Sequence, residues 1–248
     1  MKQAAQWQPS KFEQRHGRWR GSRDPRELGV GSRLISDLVA QHYERELRAH
    51  ARGRLLDLGC GKVPLYGAYA PYVSDVTCVD WAAGDHIDVI HDLGQPLPFA
   101  AQAFDTVVLS DVLEHIAEPD ALWREMARVL APGGVLVMNV PFYYSVHAHP
   151  HDYYRYTNFA LERYVRVHGL ALVQLSAVGG LVEVMVDLHA KALSKVPLIG
   201  APLAAALQGV ALAGVRTRWG ERLARVSSRH FPLGYFLIAR RAGRSDPA

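Results

Sequence analysis

The sequence predicts a doubly wound α/β fold: a mostly parallel sheet with helices on both faces and a helical insertion before its last strand. Two patterns carry that reading. Short, almost continuous apolar runs alternate with segments of helical period between residues 54 and 140. Strands buried on both faces read that way, whereas a half-exposed strand alternates apolar with polar. Each run also closes on a polar residue or glycine, and in open α/β sheets the ligand crevice lies outside the carboxyl ends of the strands. A functional site is therefore expected where these runs stop.

The elements follow in order. Residues 1–33 mix Arg, Gln, Gly and Trp and read as a basic arm with little regular structure, ahead of a main domain over 34–248. From Leu34 the apolar positions Leu34, Ile35, Leu38, Val39, Tyr43 and Leu47 recur at helical spacing, with Ser32 as the expected cap. Five strands are expected next, over Arg54–Leu58, Val76–Val79, Ile87–Ile90, Phe104–Leu109 and Gly134–Val140. A helix over Ala121–Leu130 opens at Pro119-Asp120 and stops at Pro132-Gly133-Gly134. Leu170–Val178 and Leu233–Ala239 are the last strands. The stretch between them is too long for a plain loop in a compact domain, so a helical insertion is placed at about 181–230.

Of 248 residues, 49% are hydrophobic and 21% charged, which excludes a disordered, collagen-like or disulfide-stapled chain. Cys60 and Cys78 are too few for a disulfide framework, and no apolar leader opens the sequence, so a cytoplasmic setting is expected. The net charge of +4 hides a split. Residues 1–54 carry 12 Lys/Arg against 6 Asp/Glu, residues 55–150 carry 3 against 12, and residues 151–248 carry 13 against 6. An acidic middle between basic flanks argues against a uniformly basic nucleic-acid coat.

The chemistry-bearing signal is Asp57-Leu58-Gly59-Cys60-Gly61, which follows a strand and precedes an expected helix. Glycines there permit a tight turn and let a ligand approach the backbone, although a glycine pair alone makes only a turn. Asp80 lies 19 residues after Gly61, at the next strand's end, where a carboxylate can accept from both ribose hydroxyls. A dinucleotide fingerprint wants a third glycine at position 64, where this chain has Pro64. The acidic surroundings suit a cationic ligand better than a pyrophosphate. That disfavours NAD and favours S-adenosylmethionine, with its positive sulfonium.

These residues resemble the class I S-adenosylmethionine-dependent methyltransferases, in particular the small-molecule group related to ubiquinone/menaquinone methyltransferases ("type 11"). The match runs from Leu55–Gly61 through Val79-Asp80, His91-Asp92-Leu93 and Phe104–Val108 to Val112–Ile116 and Arg128–Gly134. The resemblance implies a Rossmann-like sheet of seven strands with an antiparallel hairpin at its edge. It also implies that Asp57, Gly59, Cys60 and Gly61 line the methionine moiety. Asp80 then holds the ribose beside Trp81, Asp92 and Leu93 meet the adenine, and Ser110 closes the pocket near the methyl group. His115 either contacts ligand or satisfies loop backbone.

Residues 141–157 follow the fifth strand and should overhang the sulfonium. His149, His151 and Asp152 are candidate general bases there, and Tyr143, Tyr153 and Arg155 candidates to position the acceptor. His147, His149 and His151 with Asp152 invite a zinc reading, but their order matches no familiar ligand pattern and Pro150 restricts the segment, so no metal is expected. Asn139-Val140-Pro141-Phe142 differs from the Asn-Pro-Pro-Tyr of nucleic-acid amino-methyltransferases and follows the wrong strand. The acceptor expected is a small molecule or a glycan, lipid-linked glycans included, and no nucleic-acid partner is expected. The alternatives are a cofactor-binding module without turnover, and a nucleic-acid methyltransferase using the basic flanks with Trp7, Phe12 and Trp19 for stacking.

Residues 196–215 carry no charge, between Lys195 and Arg216. Length alone admits a membrane span, but Pro197, Pro202, Gly200, Gly209, Gly214 and Gln208 weaken it. A helical lid, a buried helix under a solvated basic one, or a membrane-surface element over 196–229 fits better. In the last case the basic cluster from Arg216 to Arg229 would face anionic headgroups.

Overall fold

The computed structural model describes residues 1–243. The last five residues of the expected main domain lie outside the described residues. Among the described residues nine strands form two sheets. The large one contains β3 (Arg54–Leu58), β4 (Asp75–Asp80), β5 (Val89–Ile90), β6 (Phe104–Ser110), β7 (Leu130–Pro141), β8 (Leu170–Val178) and β9 (Gly234–Arg241). Their spatial order is β5-β4-β3-β6-β7-β9-β8. Neighbours among β3 to β7 pair in parallel, while β9 runs antiparallel to both β7 and β8. The expected seven-stranded doubly wound sheet is the one observed.

Continuous apolar strands arise where a strand buries both faces, as in the centre of the sheet. In β7, Leu136 and Met138 enter one core with Trp123, Met126, Leu161 and Val165. Val135 and Val137 enter the other with Tyr43, Leu47, Tyr69 and Phe236. The first face is covered by α3 (Pro119–Val129) and α4 (Asn158–Val167), the second by α1 (Arg33–His50). Pro119 sits at the start of α3, where its missing N–H costs nothing. Thr157 caps α4 by accepting from the Ala160 N–H at 3.2 Å.

Three expectations change. Ser32 precedes α1 but makes no side-chain cap. The Leu34 N–H donates instead to Gln208 Oε1 at 2.7 Å, so a residue 174 positions away does the capping. The helix expected after the glycine turn is a single turn, α2 (Tyr66–Tyr69), because Pro71 has no N–H to extend the ladder. Residues 1–33 are not a loose arm. Phe12–Arg15 (β1) and Arg18–Gly21 (β2) form a hairpin through His16-Gly17, both with positive φ (50° and 75°), the conformation a two-residue turn of this twist requires. Phe12 is buried, and the Trp7 and Trp19 rings close on the backbone of Gly67. Of the aromatics that a stacking platform would need, Phe12 is thus in the core and Trp7 and Trp19 are packed against it.

The insertion contains α5 (Leu181–Leu193), α6 (Gly200–Val215) and α7 (Arg218–Ser227). Among the described residues no helix is long and apolar enough to cross a membrane. The uncharged run is split by a turn before Gly200, and Gln208 clamps α6 to Leu34 and to the Val30 carbonyl. On α7, by contrast, no residue is buried.

Candidate active site

The crevice lies where β3, β4 and β6 end. Leaving β3, the chain turns through Gly59 (φ 67°) and Gly61 (φ 52°). The N–H groups of Gly59 and Cys60 both donate to the Val79 carbonyl, which straps the turn to β4. A Cβ at Gly59 would stand 2.5 Å from Val112 Cγ2, so only glycine fits. At Gly61 nothing lies within 4 Å of that position. One glycine is demanded by packing, the other leaves open space for a ligand.

Three adjoining chambers result. The first, about 630 Å³, is lined by Asp80, Trp81, Asp92, Leu93, His115, His151 and Tyr153. Asp80 Oδ2 accepts the Gly61 N–H at 2.8 Å and Oδ1 the Ala82 N–H at 3.1 Å, which fixes the carboxylate with lone pairs to spare. The Trp81 ring is 70% exposed and stands edge-on to His151 at 5.6 Å, an unfilled aromatic wall. The second chamber, about 430 Å³, is lined by Asp57, Gly59, Cys60, Gly61, Ser110 and Lys62. Asp57 is buried and accepts from Tyr69 Oη at 2.9 Å. Burial, with Asp80 nearby, pushes its carboxyl up to about 7 against the opposing pull of the Tyr69 hydrogen bond. The third chamber, about 290 Å³, reaches inward past Glu114, His115, His147, Tyr144 and Ser32.

Asp111 borders all three chambers. It has φ 53°, unusual for a residue with a Cβ, at the end of β6. Lys11 Nζ binds its Oδ2 at 2.7 Å and Asn139 Nδ2 its Oδ1. Beyond it Glu114 is fully buried, and neither carboxylate oxygen has a hydrogen-bond partner. Burial and the charge of Asp111 push that carboxyl up to about 8.

All nine residues expected to hold the cofactor border the first two chambers. The acceptor side divides. His115, His151 and Tyr153 face the crevice, with His151 Nδ1 at 3.0 Å from Tyr153 Oη. Asp152 and Arg155 do not border it. Their ion pair, 2.6 Å long, ties the loop down: Asp152 accepts both guanidinium N–H groups of Arg155 and the His147 backbone N–H. Arg155 first, then the His147 N–H, hold the Asp152 carboxyl far below the usual range, so it is a poor proton acceptor. His149 is exposed and borders none of the chambers, and Tyr143 packs on Phe142 and Phe231. Lys11, Asp111, Glu114 and Tyr144 were missed as site residues, and His147 was weighed only as a zinc ligand and set aside. Asp111 and Glu114 follow β6 as Gly59 follows β3, a strand-end signal that could have found them. Lys11 lies on no motif.

Fold and crevice together define an α/β protein that accommodates a nucleoside-sized ligand at its strand ends. A family profile described as a methyltransferase domain matches residues 56–138. The chain is 31% identical over 119 residues to a ubiquinone biosynthesis O-methyltransferase of Ruegeria pomeroyi, covering 42% of this chain and 48% of that one. It is 38% identical over 154 residues to an uncharacterized methyltransferase of Mycobacterium leprae, covering 55% and 57%. The matches thus span about half the length of these curated relatives. Among solved structures, an S-adenosylmethionine-dependent methyltransferase from Mesorhizobium loti superposes with TM-score 0.53 at 16% identity, covering 84% of this chain and 100% of that chain. That likeness is one of fold.

Proposed function

We propose that the chain binds S-adenosylmethionine in the first two chambers and methylates a small acceptor, or the end group of a glycan or lipid-linked glycan, in the third. The carrying observation is that the three chambers meet at Asp111, so a methyl donor in two and an acceptor in the third come together there. The residues suit the cofactor. Asp80 has free lone pairs for a ribose diol, Trp81 and Leu93 offer apolar surface to a purine, and the open side of Gly61 admits a ligand against backbone. Asp57 can meet the methionine ammonium. When bound, the cofactor supplies an electrophilic methyl group on a sulfonium, which an acceptor displaces in line. The chain's own work is to hold the two partners in register and to keep water out. A third chamber of about 290 Å³ suits a single ring or sugar unit, not a folded macromolecule.

Calorimetry with S-adenosylhomocysteine tests the donor site. Binding that Asp80→Ala weakens by roughly 100-fold is expected, from two charge-assisted hydrogen bonds at about 1.5 kcal/mol each. Equal binding by both proteins refutes the assignment. Tritiated-methyl transfer into fractionated small-molecule and glycolipid extracts then tests the acceptor class.

A second reading concerns where the acceptor is met. On α7, Trp219 (79% exposed), Leu223 and Val226 form an apolar stripe at helical spacing, beside exposed Arg218, Arg222 and Arg225. A helix with bare apolar and basic faces suits an anionic bilayer surface. In flotation assays, binding to phosphatidylglycerol vesicles but not phosphatidylcholine vesicles, abolished by Trp219→Ser with Leu223→Ser, is expected. Wild-type protein that stays with the soluble fraction overturns this reading.

A further inference from the structure

We propose that Glu114, His115 and His147 form a binding site for a divalent transition-metal cation, of the zinc, cobalt or manganese class, on the wall of the third chamber. The site rests on four observations. The Glu114 carboxylate is fully buried and both its oxygens lack hydrogen-bond partners. A buried carboxylate without partners costs far more than one with them, so something must answer it. Two imidazole nitrogens do so at a distance too long for hydrogen bonding: His115 Nε2 is 3.6 Å and His147 Nε2 3.8 Å from Glu114 Oε1. The ligand atoms of all three side chains lie within 4.8 Å of one another, leaving a gap between them of a cation's scale.

The fourth observation is how the rings are held. His115 Nδ1 lies 2.6 Å from the His151 carbonyl oxygen, which can only accept. His147 Nδ1 faces the Ser145 carbonyl at 3.2 Å and Asp152 Oδ2 at 3.3 Å. Both rings therefore carry the proton on Nδ1 and leave the Nε2 lone pair toward Glu114. Metal-binding histidines are oriented in this way, with the far nitrogen donating to a carbonyl or carboxylate. It also gives the Asp152–Arg155 pair a purpose beyond bracing the loop, since Arg155 fixes the carboxylate that aims His147. Asp111, a further acid on the wall of the same chamber, is occupied by Lys11 and Asn139. Two imidazoles and one carboxylate suit borderline metals rather than the all-oxygen shells of calcium or magnesium. The remaining coordination position opens to the chamber, where a water or an acceptor oxygen would complete the shell. That last role rests on the proposed methyl transfer; the cation site does not.

The test uses the full chain, without a histidine tag, stripped with chelator and titrated with ZnCl₂, CoCl₂ and MnCl₂ in a calorimeter. Cobalt binding is also followed by its visible ligand-field bands. One equivalent is expected. The His147→Ala and Glu114→Gln variants should bind at least ~10-fold more weakly, the scale of loss when a metal site is damaged. His149→Ala, in the same loop but outside the chambers, should bind as wild type. S-Adenosylhomocysteine binding by each variant reports an intact fold and tests the donor site separately. Retained homocysteine-derivative binding with no saturable uptake of any of the three metals overturns the cation site and leaves the methyltransferase reading standing. Equal loss in His149→Ala also overturns it.

Discussion

The two glycines of the first turn offer a prediction in which strain and steric fit separate. Gly61→Ala places a Cβ in open space, so its folding cost is that of a left-handed backbone alone, about 1 kcal/mol. For a chain of this size that lowers the melting temperature by roughly 2–4 °C. Gly59→Ala pays the same backbone cost and also drives its Cβ to 2.5 Å from Val112 Cγ2 and 3.0 Å from Cγ1. Overpacking adds about 1–3 kcal/mol, for a total of about 2–4 kcal/mol. Truncating the obstacle should recover the steric part only. Gly59→Ala with Val112→Ala is therefore expected to be more stable than the sum of the single losses predicts, with a coupling of at least about 1 kcal/mol. Ligand affinity should show the opposite order. Gly61→Ala, nearly harmless to folding, should weaken S-adenosylhomocysteine binding because its methyl occupies ligand space. Urea titrations with and without ligand measure both quantities. If the double variant shows no coupling, or if Gly61→Ala binds ligand as wild type, the account of the turn is wrong.

Three further outcomes are expected. Asp57 has its folded carboxyl raised to about 7 from an ordinary value near 3.8, so its contribution to stability is full below pH ~4 and is lost as pH rises to 7; Asp57→Asn should flatten that part of the pH–stability curve, whose amplitude is at most about 4 kcal/mol. Phe12→Ala should destabilise the whole domain by about 3–5 kcal/mol in chemical denaturation, since the ring is buried between Tyr43 and the sheet; a loss under about 1 kcal/mol would mean the hairpin is dispensable. Gln208→Ala leaves the Leu34 N–H without its acceptor, so faster amide exchange in the first turn of α1 is expected at a cost of about 1 kcal/mol.

The sheet was legible because its physics is local. Each strand needs apolar residues on both sides, and each strand end declares itself by Gly59, Asp80, Asp92 or Ser110. The first two chambers were legible for the same reason, since the residues proposed to hold the cofactor sit at or just after strand ends. The N-terminal hairpin was not. Its two strands are too short for a clear alternation, and Arg15, Arg18 and Arg20 mask the few inward residues. His16-Gly17 was the one usable signal, a pair able to adopt positive φ twice. The acceptor side failed differently. Three alternating histidines look equivalent in sequence, yet the loop sends His147 inward and His149 outward, and Asp152 is claimed by Arg155. Which one faces Glu114 depends on an ion pair and a chain path that spacing does not encode.

The sheet order has a consequence for how the chain is made. β9 occupies the slot between β7 and β8, yet it is synthesised after every other strand of the sheet and after the entire three-helix insertion. Until it arrives, β7 and β8 have no common partner and the interior edge of β7 stays open, the kind of edge that invites pairing with other chains. Non-local strand insertion is also slow. Completion of the sheet is thus a single late event that no nascent fragment can anticipate, and Phe236 and Leu237, buried to 0% exposure on opposite sides of β9, finish both cores at once. A chain stalled anywhere before residue 234 would hold nearly every element of the crevice and still lack the strand that makes them one body.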